Sequence, residues 1–407
     1  MKNDLKVQFA LPCIGKEEEE ACLRVLRSGW LTTGPEALAF EDEFAIFLNG
    51  VRNSRNESPV HCLAVNSATA GLHLALEACG VGVGDIVFTP SYTFASTAEV
   101  VRYLGAEPVF IDIAPGTFHL DPAALEQTLE RLDRGLPPYA ARGGFGPQGS
   151  PKAVIPVHFG GLSSDMEAIG TVAKKYGLKV IEDAAHSFPS ETENGFLGTI
   201  GDVGVFSFYA TKTITTGEGG MVAVRDAEIA ERVRLMRLHG IDRTVWNRYT
   251  DTKAPWYYEI RAPGYKYNMP DILAAIGRVQ LARCRELLAM RQRIGSAYDA
   301  AFAGDDRFII ARTGEGDARQ LYPLRLADSL SRDSFITKMG DAGIGVSVHF
   351  IPLHTMPFYR KRNGFYEGDF PETLNAFRRE VSLPIWAGMT DEQVAYVINT
   401  ARAPDFK

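Results

Sequence analysis

GDVGVFSFYATKTITTGEGGMVAV, residues 201–224, is the stretch that decides the fold. β-Branched and aromatic residues crowd both of its ends, so it reads as a strand over 203–208, a loop, and a second strand over 221–224. The loop holds Lys212 between Thr211 and Thr213, with Gly217, Gly219 and Gly220 following. A surface lysine usually stands among other charges, and an interior one loses solvation. A lysine that must shed its proton to attack a carbonyl wants such a half-dry place, because desolvation lowers its pKa. The plain alternative is a lysine that caps a turn.

Upstream, VIEDAAHS (180–187) is a short apolar strand that ends in acids and is followed by small residues. Ligands of open α/β sheets sit at the carboxyl ends of strands, and Asp183 stands at such an end. A lysine and an aspartate so placed are what pyridoxal phosphate needs. The lysine binds its aldehyde, and the carboxylate keeps a proton on the pyridine nitrogen. Asp183 could also simply cap a helix beginning at Ala184.

Further out, strands and helices alternate. Strands are expected at 60–65, 86–89, 107–113 and 153–158, and helices at 17–28, 69–79, from 121, 165–176 and 226–239. That alternation predicts a mostly parallel sheet with helices on both faces. The junction NSATA (66–70) starts a helix, whose free N–H groups suit a phosphate, or which Ser67 or Thr69 simply caps. PSYTF (90–94) offers Tyr92 or Phe94 to stack on a ring, with a core position open to both.

Residues 135–152 are dense in Gly and Pro and read as an exposed insertion. Their GGFG follows no strand and is no dinucleotide fingerprint. Over 241–263, Arg243, Arg248, Lys253 and Arg261 interleave with five aromatics. Such a segment suits a diphosphate and a nucleobase, and equally an arm laid on a partner subunit. Asp271 should cap one long helix to about 302. A strand at 319–326, a helix at 331–342, a strand at 346–350 and helices to 401 follow, forming a small α+β domain. His349 and His354 do not share a helical face, so they are placed at a pocket rim and not on a metal. Two domains are expected, 1–275 and 276–407.

The 407 residues suffice for a large core, and 45% hydrophobic with 23% charged residues is ordinary for a globular protein. No apolar run approaches the ~18 residues of a membrane span, and the first twenty residues lack a signal-peptide core. Five scattered cysteines without a CxxC suggest reduced thiols in the cytoplasm and no metal site. A net charge of −7 argues against nucleic acid as a partner.

Several motifs in order, LTTGP (31–35), EDAAHS (182–187), FSFYATKTITTGEGGM (206–221), PGYKYNMPDILAAIGRVQL (263–281) and HFIPLHTMPFY (349–359), make the chain resemble the DegT/DnrJ/StrS-type sugar aminotransferases. The resemblance covers nearly the whole chain. It implies the fold-type I architecture of pyridoxal-phosphate enzymes: a mostly parallel, seven-stranded-type sheet flanked by helices, and a smaller C-terminal α+β domain. It implies that Lys212 holds the cofactor, Asp183 its ring nitrogen, and Ala68, Thr69 and Ser207 its phosphate. Phe94 would stack on the ring, and His186, often Gln in relatives, would lie near the ring hydroxyl. Thr33 and Gly34 would line the substrate pocket, to which residue chemistry adds Arg243, Arg248, His349 and His354 as candidates. Lys266 stands where relatives often have Asn, and Asn268 where they have Arg; either could reach the phosphate across a homodimer interface. The implied reaction moves an amino group from L-glutamate to a nucleotide-linked keto sugar. Two rivals are a sugar 3-dehydratase of this fold, against which Lys212 speaks because those relatives carry histidine there, and a regulatory protein that binds the cofactor without turnover.

Overall fold

The computed structural model describes residues 5–50, 58–139, 149–242, 257–311 and 316–403. In chain order the first half runs α1 (Lys16–Ser28), α2 (Pro35–Asn49), β1 (His61–Val65), α3 (Ala68–Ala78), β2 (Asp85–Pro90), α4 (Ala95–Tyr103), β3 (Glu107–Ile111), α5 (Pro122–Asp133), β4 (Ser150–Val154), α6 (Met166–Tyr176) and β5 (Lys179–Asp183). A small hairpin, β6 (Glu191–Thr192) and β7 (Gly195–Phe196), precedes β8 (Val203–Ser207), β9 (Gly220–Val224) and α7 (Ala227–Met236). Then come α8 (Asp271–Ala282), α9 (Cys284–Phe302), β10 (Phe308–Ile310), β11 (Tyr322–Leu326), α10 (Arg332–Asp341), α11 (Pro357–Asn363), α12 (Pro371–Arg379), β12 (Glu380–Leu383) and α13 (Asp391–Ala401). No helix among the described residues is long and apolar enough to cross a membrane.

Seven strands form one sheet in the order β1-β9-β8-β5-β4-β2-β3. Only β9 runs against its neighbours, β1 and β8; the other pairings are parallel. The sheet is covered on both faces, so its central strands are largely apolar and their two side-chain sets part cleanly. Leu63, Val65, Val203, Val205, Val222 and Val224 face the cluster around α3 and α7. Cys62, Ala64, Phe206, Met221 and Ala223 face the other way, onto Phe40 and Phe44 of α2. A second, antiparallel sheet, β10-β11-β12, packs on α9, α10 and α13. Val7, near the N-terminus, joins that second core and bridges to Ile344.

Four expectations need correction. The helix from Asp271 is two helices, broken at Arg283, whose φ of −98° and ψ of 1° leave the helical region. Residues 346–350 form no strand; Ser347 makes a single bridge to Ser382. The second sheet takes Glu380–Leu383 instead, in the stretch expected to be helical, because EVSL is apolar at alternate positions and fully buried. The strand expected at 153–158 begins and ends earlier, at Ser150–Val154, paired to β2 and β5.

Candidate active site

Parallel strands put their carboxyl ends on one edge, and β9, running the other way, brings its first residue to that same edge. Gly220 is paired with both Val65 and Ser207. Asp183 ends β5 one strand further along. Above these ends lies a cavity of about 440 Å³. Lys212, Asp183, His186, Ala68, Thr69, Phe94, Ser207 and His349 all line it.

At one end the cavity meets the start of α3. Ser67 caps this helix, its Oγ accepting from Ala70 N–H at 3.1 Å. The N–H groups of Ala68 and Thr69 have no partner among the described residues, so the positive helix end faces the cavity. The approach is close: a Cβ on Gly220 would lie 2.7 Å from the Ala68 nitrogen.

Across the sheet edge, the buried Asp183 carboxyl accepts from Thr97 Oγ1 at 2.9 Å and from Ala185 N–H at 3.2 Å. Burial pushes its pKa up, and those two donors with the Lys212 charge hold it back.

Lys212 sits on a tight loop in which Thr215 and Thr216 bond the backbone and Thr213 Oγ1 donates to Gln320 Oε1 at 3.2 Å. Thr215 Oγ1 donates to the Phe208 carbonyl at 3.0 Å, and Lys212 N–H to that of Tyr209 at 2.9 Å. The Thr211 carbonyl is clamped by Gln320 Nε2 at 3.0 Å and by Arg291 at 3.2 Å. Arg291, 3% exposed, also donates to the carbonyls of Arg319, Gln320 and Ile385. Burial lowers the Lys212 pKa most, Asp183 raises it and Arg291 lowers it further, leaving the amine at about 7. Such an amine is substantially neutral at neutral pH and able to attack a carbonyl.

Two histidines complete the walls. His186 Nδ1 accepts from Gly160 N–H at 3.2 Å, which puts the ring proton on Nε2. Its ring stacks on Phe350 with centroids 5.9 Å apart. Burial and the Lys212 charge hold both His186 and His349 well below the ordinary range, His349 at about 4.

Other expected residues lie elsewhere. Thr33, Gly34, Lys266 and Asn268 line no part of the cavity and form a cluster of their own. Lys266 Nζ donates to Asn268 Oδ1, Asn268 Nδ2 is 2.6 Å from Thr33 Oγ1, and Gly34 N–H donates to Asp271 Oδ1 at 2.7 Å. This cluster lies against Val65 and Asn66, immediately before the Ser67 cap. His354 is not at a rim but fully buried, with Nδ1 2.7 Å from Ser91 Oγ and Nε2 3.0 Å from the Glu367 carbonyl. Of the two candidate aromatics, Phe94 reaches the cavity, and Tyr92 packs on Phe118 and Phe159 in the core. Arg243 and Arg248 lie outside the described residues.

Sequence reasoning missed Thr97, Arg291, Gln320, Phe9 and Phe350. Thr97 carried a weak signal, a hydroxyl in the first turn after a strand end, and Phe350 directly follows His349; Phe9, Arg291 and Gln320 come from segments that nothing local ties to the site.

The model of the DegT/DnrJ/EryC1/StrS aminotransferase family matches residues 12–402, and the chain belongs to that family. It is 42% identical over 400 residues to the spore coat polysaccharide biosynthesis protein SpsC of Bacillus subtilis, covering 97% of this chain and 96% of SpsC. Among solved structures it is similar to the putative sugar aminotransferase Spr1654 of Streptococcus pneumoniae in its PMP form. There the TM-score is 0.84 and the identity 30%, over 97% of this chain and 98% of that one. DesI, solved in the presence of its TDP-sugar product, gives a TM-score of 0.78 at 27% identity, over 98% of this chain and 93% of DesI.

Proposed function

We propose that this protein is a pyridoxal-phosphate-dependent aminotransferase that moves an amino group from L-glutamate to a keto sugar carried on a nucleotide. The observation that carries the reading is one cavity holding an amine poised near neutrality, a buried carboxylate and an unpaired helix N-terminus.

The residues fit the cofactor at three points. The N–H groups of Ala68 and Thr69, with the Ser207 hydroxyl, suit a phosphate, and Gly220 leaves the space a side chain would fill. Asp183, oriented by Thr97 and Ala185, accepts a proton-bearing ring nitrogen, a hydrogen bond that favours its ionised form. Lys212 Nζ is the group for the aldehyde. When bound, pyridoxal phosphate supplies an electron sink and a store for the amino group between the two halves of the reaction.

In this reading Lys212 Nζ, once freed, takes the proton from the amino-bearing carbon of glutamate and later returns one to the sugar carbon. Phe94 covers one face of the site. His186, neutral with its proton on Nε2, donates a hydrogen bond and does not exchange protons. The family membership and the TDP-sugar product of DesI support a nucleotide-linked substrate. The cluster of Thr33, Lys266 and Asn268 is read as reaching the partner's site in a homodimer.

The test is to incubate purified protein with glutamate alone and then with a panel of keto-sugar nucleotides. Formation of 2-oxoglutarate in the first step and of an amino sugar in the second is expected. 2-Oxoglutarate with no aminated product from any keto sugar would overturn the proposed acceptor.

A further inference from the structure

His349 reaches the cavity from the second, antiparallel half of the molecule, and behind it runs a buried polar chain. Its Nδ1 lies 2.8 Å from Ser382 Oγ, and Ser382 Oγ is in turn hydrogen-bonded to Glu380 Oε1. Glu380 Oε2 accepts from the His349 backbone N–H at 2.9 Å, so both carboxyl oxygens are committed to this one assembly. Glu380 and Ser382 have no exposed surface, and both lie on β12. The ring is held flat against Phe9, centroids 5.5 Å apart, which leaves Nε2 as its nitrogen open to a ligand.

A serine has one proton to give, so the chain has two arrangements. With Glu380 ionised, Ser382 donates to Oε1, His349 Nδ1–H donates to Ser382, and Nε2 is a bare acceptor. With Glu380 protonated on Oε1, that proton goes to Ser382, Ser382 donates to Nδ1, and Nε2 bears a hydrogen. Passing from the second state to the first moves two hydrogens one place each toward the ring and releases one proton at Nε2. The count closes without any other reactant.

We propose that Glu380, acting through Ser382, sets whether His349 offers the cavity a hydrogen-bond acceptor or a donor, and thereby delivers or receives one proton at the bound sugar or amino donor. The inference rests on the cavity being where those two bind, and concerns a different residue from Lys212. An acceptor Nε2 suits a sugar hydroxyl or the ammonium of an amino acid; a donor suits the oxygen of a keto group.

The groups facing Glu380 favour a switch near neutrality. Burial pushes its carboxyl up to about 8, against the bonds from Ser382 and His349 and the charges of Arg332 on α10 and Arg325 on β11. Arg332 donates to the Phe377 carbonyl and pairs with Asp333, Arg325 donates to the Thr117 carbonyl, and neither is hydrogen-bonded to Glu380, so they act on it through space. The neighbouring Tyr92 is held neutral by its burial, and Lys212 acts on the histidine ring from across the cavity.

The experiment is a two-bond proton–nitrogen spectrum of the holoenzyme labelled with nitrogen-15 in histidine, taken from pH 6 to 10. The His349 signals are assigned by their loss in His349→Asn. In the wild type, Nε2 should change from the protonated to the bare-nitrogen region as pH rises through about 8. Glu380→Gln, whose amide donates to Ser382, should keep Nε2 protonated throughout, and Ser382→Ala should abolish the transition. A single tautomer at every pH in the wild type, or an unchanged transition in Ser382→Ala, overturns the proposal. Neither outcome depends on turnover, so it leaves the proposed reaction untouched.

Discussion

Lys212 illustrates how three neighbours decide one proton. Burial and the uncompensated Arg291 charge push its pKa down, and Asp183 pulls it back up, to about 7. Cofactor uptake by the apo protein should therefore quicken as pH rises from 5.5 through 7, since only the neutral amine attacks; a flat profile would contradict this. The same shift has a stability consequence. Between about 7 and the ordinary lysine value of 10.5 the unfolded chain holds more protons on this lysine than the folded one. Folding stability from this site should therefore grow as pH rises through that window. Lys212→Met should remove that share, seen in denaturation midpoints at pH 7 and 10. Asp183→Asn keeps the shape and discards the charge, and should slow the half-reaction with glutamate by orders of magnitude. Wild-type rates in that variant would refute its role. At this scale the sequence was most readable where chemistry is local: Lys212 in its threonine and glycine loop, Asp183 at a strand end. It was unreadable where a residue works from afar. Arg291 lies in the middle of a helix, and nothing in RQRIG says that its guanidinium will clamp the Thr211 carbonyl.

At the scale of elements, the site is made by strand ends that a helix N-terminus can approach. At Gly220 the approach is close, because β9 meets the Ser67–Ala68 backbone there. Gly220→Ala should cost on the order of 1–3 kcal/mol by overpacking and weaken phosphate binding. Urea melts and a titration with inorganic phosphate would measure both; an unchanged protein would show that the approach is not needed. Most strands of the large sheet were legible because both faces are buried and apolar residues run through them; Ser150–Val154, whose first half is not buried, was placed too late. The second sheet was not. EVSL follows a helix with no Gly or Pro to announce it, and VSVHF alternates like a strand yet is used only for one bridge and for carrying His349. The break at Arg283 is equally silent, since LARCREL is helical on both sides.

For the molecule as a whole, the cavity lies between Asp183 at the end of β5 with Lys212 in the loop after β8, and His349, Phe350, Gln320 and Ile385 in segments flanking the strands of the second sheet. If a two-fold dimer lets the Thr33, Lys266 and Asn268 cluster complete the partner's site, two differently damaged chains should rescue each other. Lys212→Ala and a Lys266→Ala/Asn268→Ala double variant should each be weak alone. After subunit exchange their mixture should recover up to roughly a quarter of wild-type activity, because half the dimers are mixed and each has one intact site. No recovery with exchange proven would show a site built from one chain. That cluster was legible in the sequence only by resemblance, since its segments, near residues 33 and 267, are far apart along the chain. The central claim, that Lys212 carries the cofactor, is tested most directly by reducing the purified holoenzyme with borohydride and mapping its peptides by mass spectrometry. One peptide should bear the reduced cofactor, with the mass on Lys212. The same mass on another lysine, Lys266 included, would contradict it.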